Sequence, residues 1–226
     1  QLRLLIYQKM HDIPNDVNIS PMNTPARKCA IVAVMKKRII TLGGLPGSGK
    51  STVKQLIAEK LGYTMLSTGD FVRDMAHARN LTLEEFNDLI IHDKTLDEEI
   101  DSRLIKIEGD GDRYVVDSHL AFHFIPSGFA VLLTVSLETS AERIFNDSSS
   151  PSRIKSGDIM KTLDEARERT ARRIKNHVDR YKLHYGVDPY HPEAYDFVIN
   201  TEQYDPEEVA RRVVEAYKAW LAPETL

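Results

Sequence analysis

The sequence predicts an α/β domain: a five-stranded parallel sheet with helices on both faces. Three observations predict it. From Met35 onward, short apolar runs alternate with segments of helical period, the pattern of right-handed βαβ units. Several of the runs are apolar almost throughout, as strands covered on both faces must be. The first run passes straight into a glycine-rich turn, and a helical pattern follows it.

The elements fall in this order. Strands are expected at Arg38–Leu42, Tyr63–Leu66, Tyr114–Asp117, Ala130–Val135 and Phe197–Ile199. A helix over Thr52–Leu61 stops at Gly62, which can take the left-handed conformation that ends helices. The next, Thr68–Arg79, opens on Ser67-x-x-Asp70, a capping pattern. Helices over Leu83–Ile91, Leu96–Ile107 and Glu138–Asn146 follow, then a long charged helix from about Thr162 to Tyr185. Asp205-Pro206 opens the last helix, which carries Val209, Val213, Ala216 and Tyr217 on one face and runs to about Leu221. Two segments break the rhythm. One is the almost wholly helical stretch between the second and third strands, about residues 67–110. The other, about 146–180, begins with the Ser-rich NDSSSPSRIKSGD and continues into the long helix. Inserts at the carboxyl ends of parallel strands sit where ligands bind.

A chain of 226 residues with 42% hydrophobic content can bury one sizeable core. A net charge of −4 makes no electrostatic case for nucleic acid or for an anionic membrane. The single cysteine, Cys29, excludes an internal disulfide framework and points to a reducing cytoplasm. No apolar run approaches the roughly 18 residues of a membrane span. Residues 1–34 hold three prolines and no sustained period, so they are expected to be an N-terminal extension outside the 35–226 domain. It reads as a disordered tail or as a non-native start upstream of MKKRIITL; the alternative is that Leu2–Tyr7 and Cys29–Val34 dock on the domain.

Gly44-Leu45-Pro46-Gly47-Ser48-Gly49-Lys50-Ser51 fits G-x-x-x-x-G-K-[ST] at every position, between an apolar strand and a helix. Backbone that wraps phosphate oxygens needs glycines, because side chains would block the approach. The following helix adds its positive end. Gly44, Gly47, Ser48, Gly49, Lys50, Ser51 and Thr52 are therefore candidate ATP-binding residues of a P-loop NTPase fold, with Lys50 reaching the terminal phosphates and Ser51 ligating Mg²⁺. No Asp has Gly three places on, and no N-K-x-D follows, so the GTPase switch is excluded. The third strand ends Asp117-Ser118 with no Glu to polarise water. Asp117 is a candidate metal-organising carboxylate, or else a cap or turn residue. Transfer to a second substrate is favoured over hydrolysis.

The stretch Leu66 to Ala76, LSTGDFVRDMA, offers the hydroxyl of Thr68, close approach at Gly69 and the donor fork of Arg73 one helical turn on. It resembles the S-T-G-D-x-x-R segment of nucleoside monophosphate kinases, and NLTLEEFNDLIIHDKTLDEEIDSRL is similar to the helical insert of their cytidylate kinase-like branch. The resemblance implies that Thr68, Gly69 and Arg73 hold the acceptor's monophosphate. Asp97 and Asp101, four apart on one helix face, either serve the acceptor or form a solvated acidic face aided by a Glu99–Arg103 pair. VVDSHLAFHFIP resembles the same branch around its third strand, with His119 where relatives commonly carry Arg. An imidazole offers one donor where Arg offers five; His119 is a candidate acceptor-binding residue that, on charging near pH 6.5, can still touch a phosphate. His123 reads as structural.

AERI and EARERTARRIKNHVDRYKLHYGVD resemble the lid and closing helix of the same kinases, and YDFVINT their last strand, whose following loop lies beside the donor base. From Arg143 to His184, eleven Lys and Arg face six Asp and Glu, in a chain that is net negative. Phosphoryl transfer asks mainly for positioning and for cations. Arg173 and Arg180, seven apart, share a helix face and are candidate catalytic residues, with Arg143 and Arg153 next; others, Arg167 or Arg169 among them, are expected to pair with neighbouring acids. The resemblance covers roughly Lys36 to Tyr217. It implies Mg²⁺-dependent transfer from ATP to CMP or dCMP by a cytoplasmic monomer whose partners are small-molecule nucleotides. Adenylate kinase is the competing acceptor assignment. A switch protein that binds ATP without transferring it, acting on RNA or a partner, is the competing class.

Overall fold

The computed structural model describes residues 36–90, 93–147 and 160–222; the expected tail at 1–34 and Arg153 lie outside the described residues. Five strands form one parallel sheet in the order β2-β3-β1-β4-β5: β1 Ile39–Gly44, β2 Thr64–Ser67, β3 Tyr114–Asp117, β4 Phe129–Thr134 and β5 Phe197–Asn200. The helices are α1 Lys50–Leu61, α2 Thr68–Ala78, α3 Leu83–Ile90, α4 Lys94–Asp110, the single turn α5 Ala121–Phe124, α6 Leu137–Asn146, α7 Leu163–Tyr185 and α8 Pro206–Leu221. A 3₁₀ turn spans Pro192–Ala194.

Alternation along each strand divides its side chains between two buried faces. Ile40 and Leu42 of β1 meet Val115, Val131, Leu133 and Ile199 on one face, where α1 brings Val53 and Ile57 and α8 brings Val209, Val213, Tyr217 and Trp220. Ile39 and Val116 point the other way, against Leu104 and Ile107 of α4 and Ala121 of α5. Leu132, Tyr181 and Tyr195 continue that second face. The helices between β2 and β3 close on a small core of their own, Met75, Phe86, Ile90, Leu96 and Ile100. Among the described residues no helix is long and apolar enough to cross a membrane.

The observed ends differ from the expected ones by a few residues, for local reasons. The helix after the glycine turn starts at Lys50 rather than Thr52, because Gly49 already takes the left-handed conformation that launches it. The helix expected from Leu96 begins at Lys94, since Asp93 accepts a hydrogen bond from Thr95 N at 3.0 Å and caps it. The single turn α5 and the 3₁₀ turn are too short to leave a period in the sequence. Ser67 caps α2 as its pattern requires, accepting from Asp70 N at 3.4 Å.

The register pairs Leu42 with Asp117 and Ser67 with Asp117, so β2 and β3 end at one level and β1 runs two residues further beside β4. The glycine turn leaves β1 between β3 and β4, where the chain's path across the sheet changes direction and a crevice opens.

Candidate active site

The turn from Gly44 to Gly49 is built around positions that no side chain fits. Gly44 has φ +145°, and a Cβ there would lie 2.4 Å from the Leu133 carbonyl oxygen; at Gly47, φ +73°, it would lie 2.7 Å from that of Ser140. The neighbours responsible also brace the loop. Ser140 donates to the Pro46 carbonyl. Arg143 donates to the Thr201 hydroxyl at 2.9 Å and its carbonyl at 2.8 Å, and reaches the Gly47 carbonyl at 3.5 Å. Lys50 Nζ donates to the carbonyls of Gly44 at 2.9 Å and Leu45 at 2.7 Å. Burial pushes the Lys50 ammonium down to about 8; Asp117 opposes this and Arg173 adds to it.

A cavity of about 470 Å³ opens beyond Lys50. Arg73 and Arg173 both line it, together with Lys50, Ser51, Thr68, Gly69, Asp97, Asp101, Asp117, His119 and Arg180. Thr68 at the start of α2 donates to the Asp117 carbonyl at 3.4 Å, which fixes the head of that helix to the end of β3. Arg73 pairs with Asp70 one turn earlier. Asp117 ends its strand buried, its carboxyl pushed up by burial while Lys50 and Lys54 pull it down. The hydroxyl of Ser51 and the carboxylate of Asp117 share the cavity wall as hard oxygen donors, the type that Mg²⁺ takes. Among the described residues no three His, Cys, Asp or Glu side chains form a metal site by themselves. Phosphate oxygens and water would complete the shell of an ion held here.

Three expectations need correction. Asp97 and Asp101 are not a solvated acidic face: they are 2% and 6% exposed, because α7 packs over them. Asp97 accepts from His184 Nδ1 at 2.9 Å and lies 3.7 Å from Arg180 Nε; Asp101 accepts from the Tyr185 hydroxyl. Burial pushes the Asp101 carboxyl up to about 6 against that hydrogen bond, with Asp97 adding to the rise. Nor does Arg103 pair with Glu99; its guanidinium lies 3.4 Å from the centre of the Phe71 ring. His119, expected to charge near pH 6.5, is held well below that value by burial and by Lys50, Arg173 and Arg180, so it faces the cavity neutral. Its ring lies 4.3 Å from that of His177, which burial and the same cations also keep neutral. Tyr190 Oη sits between them, 2.8 Å from His177 Nδ1 and 3.5 Å from His119 Nδ1.

The arginines of α7 divide by helix face. Arg173 and Arg180 turn inward with His177, while Arg167 pairs with Glu138, and Arg169 and Arg172 pair with Glu84. Arg180 is 4% exposed and stacks on the Tyr181 ring at 4.4 Å as well as lining the cavity. Arg143, expected among the catalytic arginines, is not on the cavity wall; its donors go to Thr201 and the turn. Thr52 is exposed and also outside the lining, whereas Gly44, Ser48 and Gly49 shape the turn from behind. Sequence reasoning missed His177, Asn87 and Lys54, all of which line the cavity. His177 lies one turn beyond Arg173 on the same face, and Lys54 one turn beyond Lys50; that spacing was the available signal.

Three comparisons bear on this arrangement. The chain matches the family model described as an AAA domain over residues 43–156. It is 32% identical over 169 residues to a cytidylate kinase of Methanothermobacter thermautotrophicus, covering 75% of this chain and 98% of that one. It is 33% identical over 178 residues to a cytidylate kinase of Methanocella arvoryzae, covering 79% and 95%. Among solved structures, shikimate kinase from Acinetobacter baumannii superposes with a TM-score of 0.53 at 16% identity, over 84% of this chain and 98% of the other, a likeness of fold.

Proposed function

The chain belongs to the cytidylate kinase-like family of P-loop nucleoside monophosphate kinases, and from that premise we propose that it converts CMP or dCMP to the diphosphate with ATP as donor. The observation that carries the reading is the shared cavity: the phosphate turn, the Thr68-Gly69-Arg73 segment and the inward arginines of α7 line one space. We assign residues 67–110 as the acceptor-binding insert and 146–180 as the lid, of which 148–159 lie outside the described residues.

In the proposed reaction the γ-phosphorus leaves the β-bridging oxygen of ATP and bonds to an oxygen of the acceptor's phosphate. No general base is required, because a phosphate monoester with a second pKa of about 6 is largely doubly ionised at pH 7. The turn and Lys50 hold the donor's phosphates, Lys50 exchanging loop carbonyls for phosphate oxygens. Thr68, Gly69 and Arg73 hold the acceptor's phosphate at the head of α2. Arg173 and Arg180 face the path between the two, where cations offset the charge of the moving group. Ser51 and Asp117 would hold Mg²⁺, Asp117 through water; the ion supplies charge neutralisation on the donor's phosphates. Asp97 and Asp101 supply carboxylate acceptors suited to an exocyclic amino group such as that of cytosine. We assign a monomer, and the reducing compartment expected for a lone cysteine supports a cytoplasmic site of action.

The experiment is an acceptor panel: ADP formation from ATP with CMP, dCMP, UMP and AMP. Turnover is expected to be highest with CMP or dCMP. Adenine also carries an exocyclic amino group, so AMP is the competitor, and activity with AMP alone would overturn the acceptor assigned here.

A further inference from the structure

We propose that Lys54 is a further phosphate-binding residue, the cation that, with Arg73, receives the phosphate of the acceptor nucleotide; the inference rests on the acceptor-side reading above. Lys50 and Lys54 are one turn apart on α1, yet they serve different places. Lys50 turns back to the carbonyls of Gly44 and Leu45 at the mouth of the phosphate turn. Lys54 lies toward the ends of β2 and β3 and lines the cavity with Ser67, Thr68, Gly69 and Arg73, the segment assigned to the acceptor.

Two physical points give it a role there. First, Lys54 is only 8% exposed, and its charge partner among the described residues is Asp117 Oδ2 at 3.9 Å, beyond hydrogen-bond reach. An ammonium carries three donors; those of Lys54 open onto the cavity, where an entering phosphate supplies acceptors. Second, the charges at this end of the cavity do not otherwise suit a dianion. Arg73 is paired with Asp70, and Lys50, the other lysine beside Asp117, is turned to the carbonyls of Gly44 and Leu45. Without Lys54, the acceptor segment would offer a phosphate one guanidinium, already engaged by Asp70. With it, a second cation joins, and four donor-bearing groups lie about the head of α2: Lys54, Thr68, the Gly69 N–H and Arg73.

The test compares a nucleotide with its nucleoside. Dissociation constants for CMP and for cytidine are measured by calorimetry on the wild type, Lys54→Met and Lys54→Arg, with KM for ATP and for the acceptor alongside. Losing one charge-assisted contact is expected to weaken CMP about tenfold or more in Lys54→Met. Cytidine affinity and KM for ATP stay within error, and Lys54→Arg recovers most of the loss. Equal weakening of CMP and cytidine would show that Lys54 only props Asp117, and a loss confined to ATP would place it on the donor side; either result, or no change at all, overturns the proposal. Lys54→Gln serves the same comparison if the Met variant does not fold. Should the wild type transfer to AMP instead, AMP and adenosine replace CMP and cytidine. A wild type that phosphorylates no monophosphate sinks the kinase reading itself, while the nucleotide-against-nucleoside comparison still judges Lys54.

Discussion

At the scale of one residue, Lys50 shows how a buried charge serves binding and burdens stability together. Its ammonium is pushed down to about 8, from an ordinary value of 10.5, chiefly by loss of water. Between those two values the folded protein binds fewer protons than the unfolded chain, so this group's contribution to stability rises with pH through that window. Below pH 8 the cost of the buried charge is carried in full. Activity runs the other way. kcat/KM for ATP reports the free enzyme and is expected to fall as pH rises through about 8, whereas kcat holds to higher pH because bound phosphates favour the charged form. Lys50→Ala is expected to lower kcat by about a hundredfold or more. At pH 7 it should leave the melting temperature unchanged or slightly higher. A coupled assay of ADP formation across pH, beside thermal melts of the variant, checks both statements. A flat kcat/KM profile between pH 7 and 9 would remove Lys50's charge from the binding step.

At the scale of elements, the informative contact is α7 against α4. Arg180, His184 and Tyr185 of α7 reach Asp97 and Asp101 of α4, joining the helix that carries the inward arginines to the helix assigned to the acceptor. Arg180 and Asp97 are both almost fully buried; removing Arg180 leaves Asp97 with His184 as its partner, so the carboxylate is weakened rather than stranded. Arg180→Met is expected to cost about 1.5–3 kcal/mol in urea unfolding, and the double variant Asp97→Asn with Arg180→Met to recover more than half of that. A cost of Arg180→Met under about 1 kcal/mol would mean that apolar packing, not the ion pair, docks the two helices. This contact also marks the limit of what the sequence reveals. The strands, the longer helices and the turn from Gly44 to Ser51 are legible because each is written in a local period or spacing, and Arg73 falls one helical turn beyond the adjacent Thr68 and Gly69. The burial of Asp97 and Asp101 is not legible, because it is created by a helix some eighty residues later in the chain. Lys54 and His177 are missed for the same reason: only the packing of α1 on the sheet, and of α7 over the end of β3, turns them toward the cavity.

At the scale of the whole molecule, the proposal is that one cavity lays two nucleotides end to end, and a single ligand can test it. The donor turn leaves β1 and the acceptor segment leaves β2, separated in the sheet by β3 alone, and Asp117 at the end of β3 lies between them. A compound of adenosine and cytidine joined 5′ to 5′ through five phosphates would fill both sides at once, with its central phosphates opposite Arg173. Holding both halves in one molecule removes the entropy cost of gathering two ligands, so its affinity should exceed that of either nucleotide by a wide margin. A ligand at 100 times its dissociation constant stabilises the folded state by about 2.7 kcal/mol, and for a chain of this size each kcal/mol raises the melting temperature by about 2–4 °C. The linked compound is therefore expected to raise the melting temperature by several degrees more than ATP and CMP supplied together at the same concentration. Arg173→Met should reduce that excess while leaving the smaller shift from ATP alone nearly intact. If the linked compound stabilises no more than ATP does, the acceptor half has no seat in the cavity beyond Lys50, and the proposed transfer between two bound nucleotides cannot take place there.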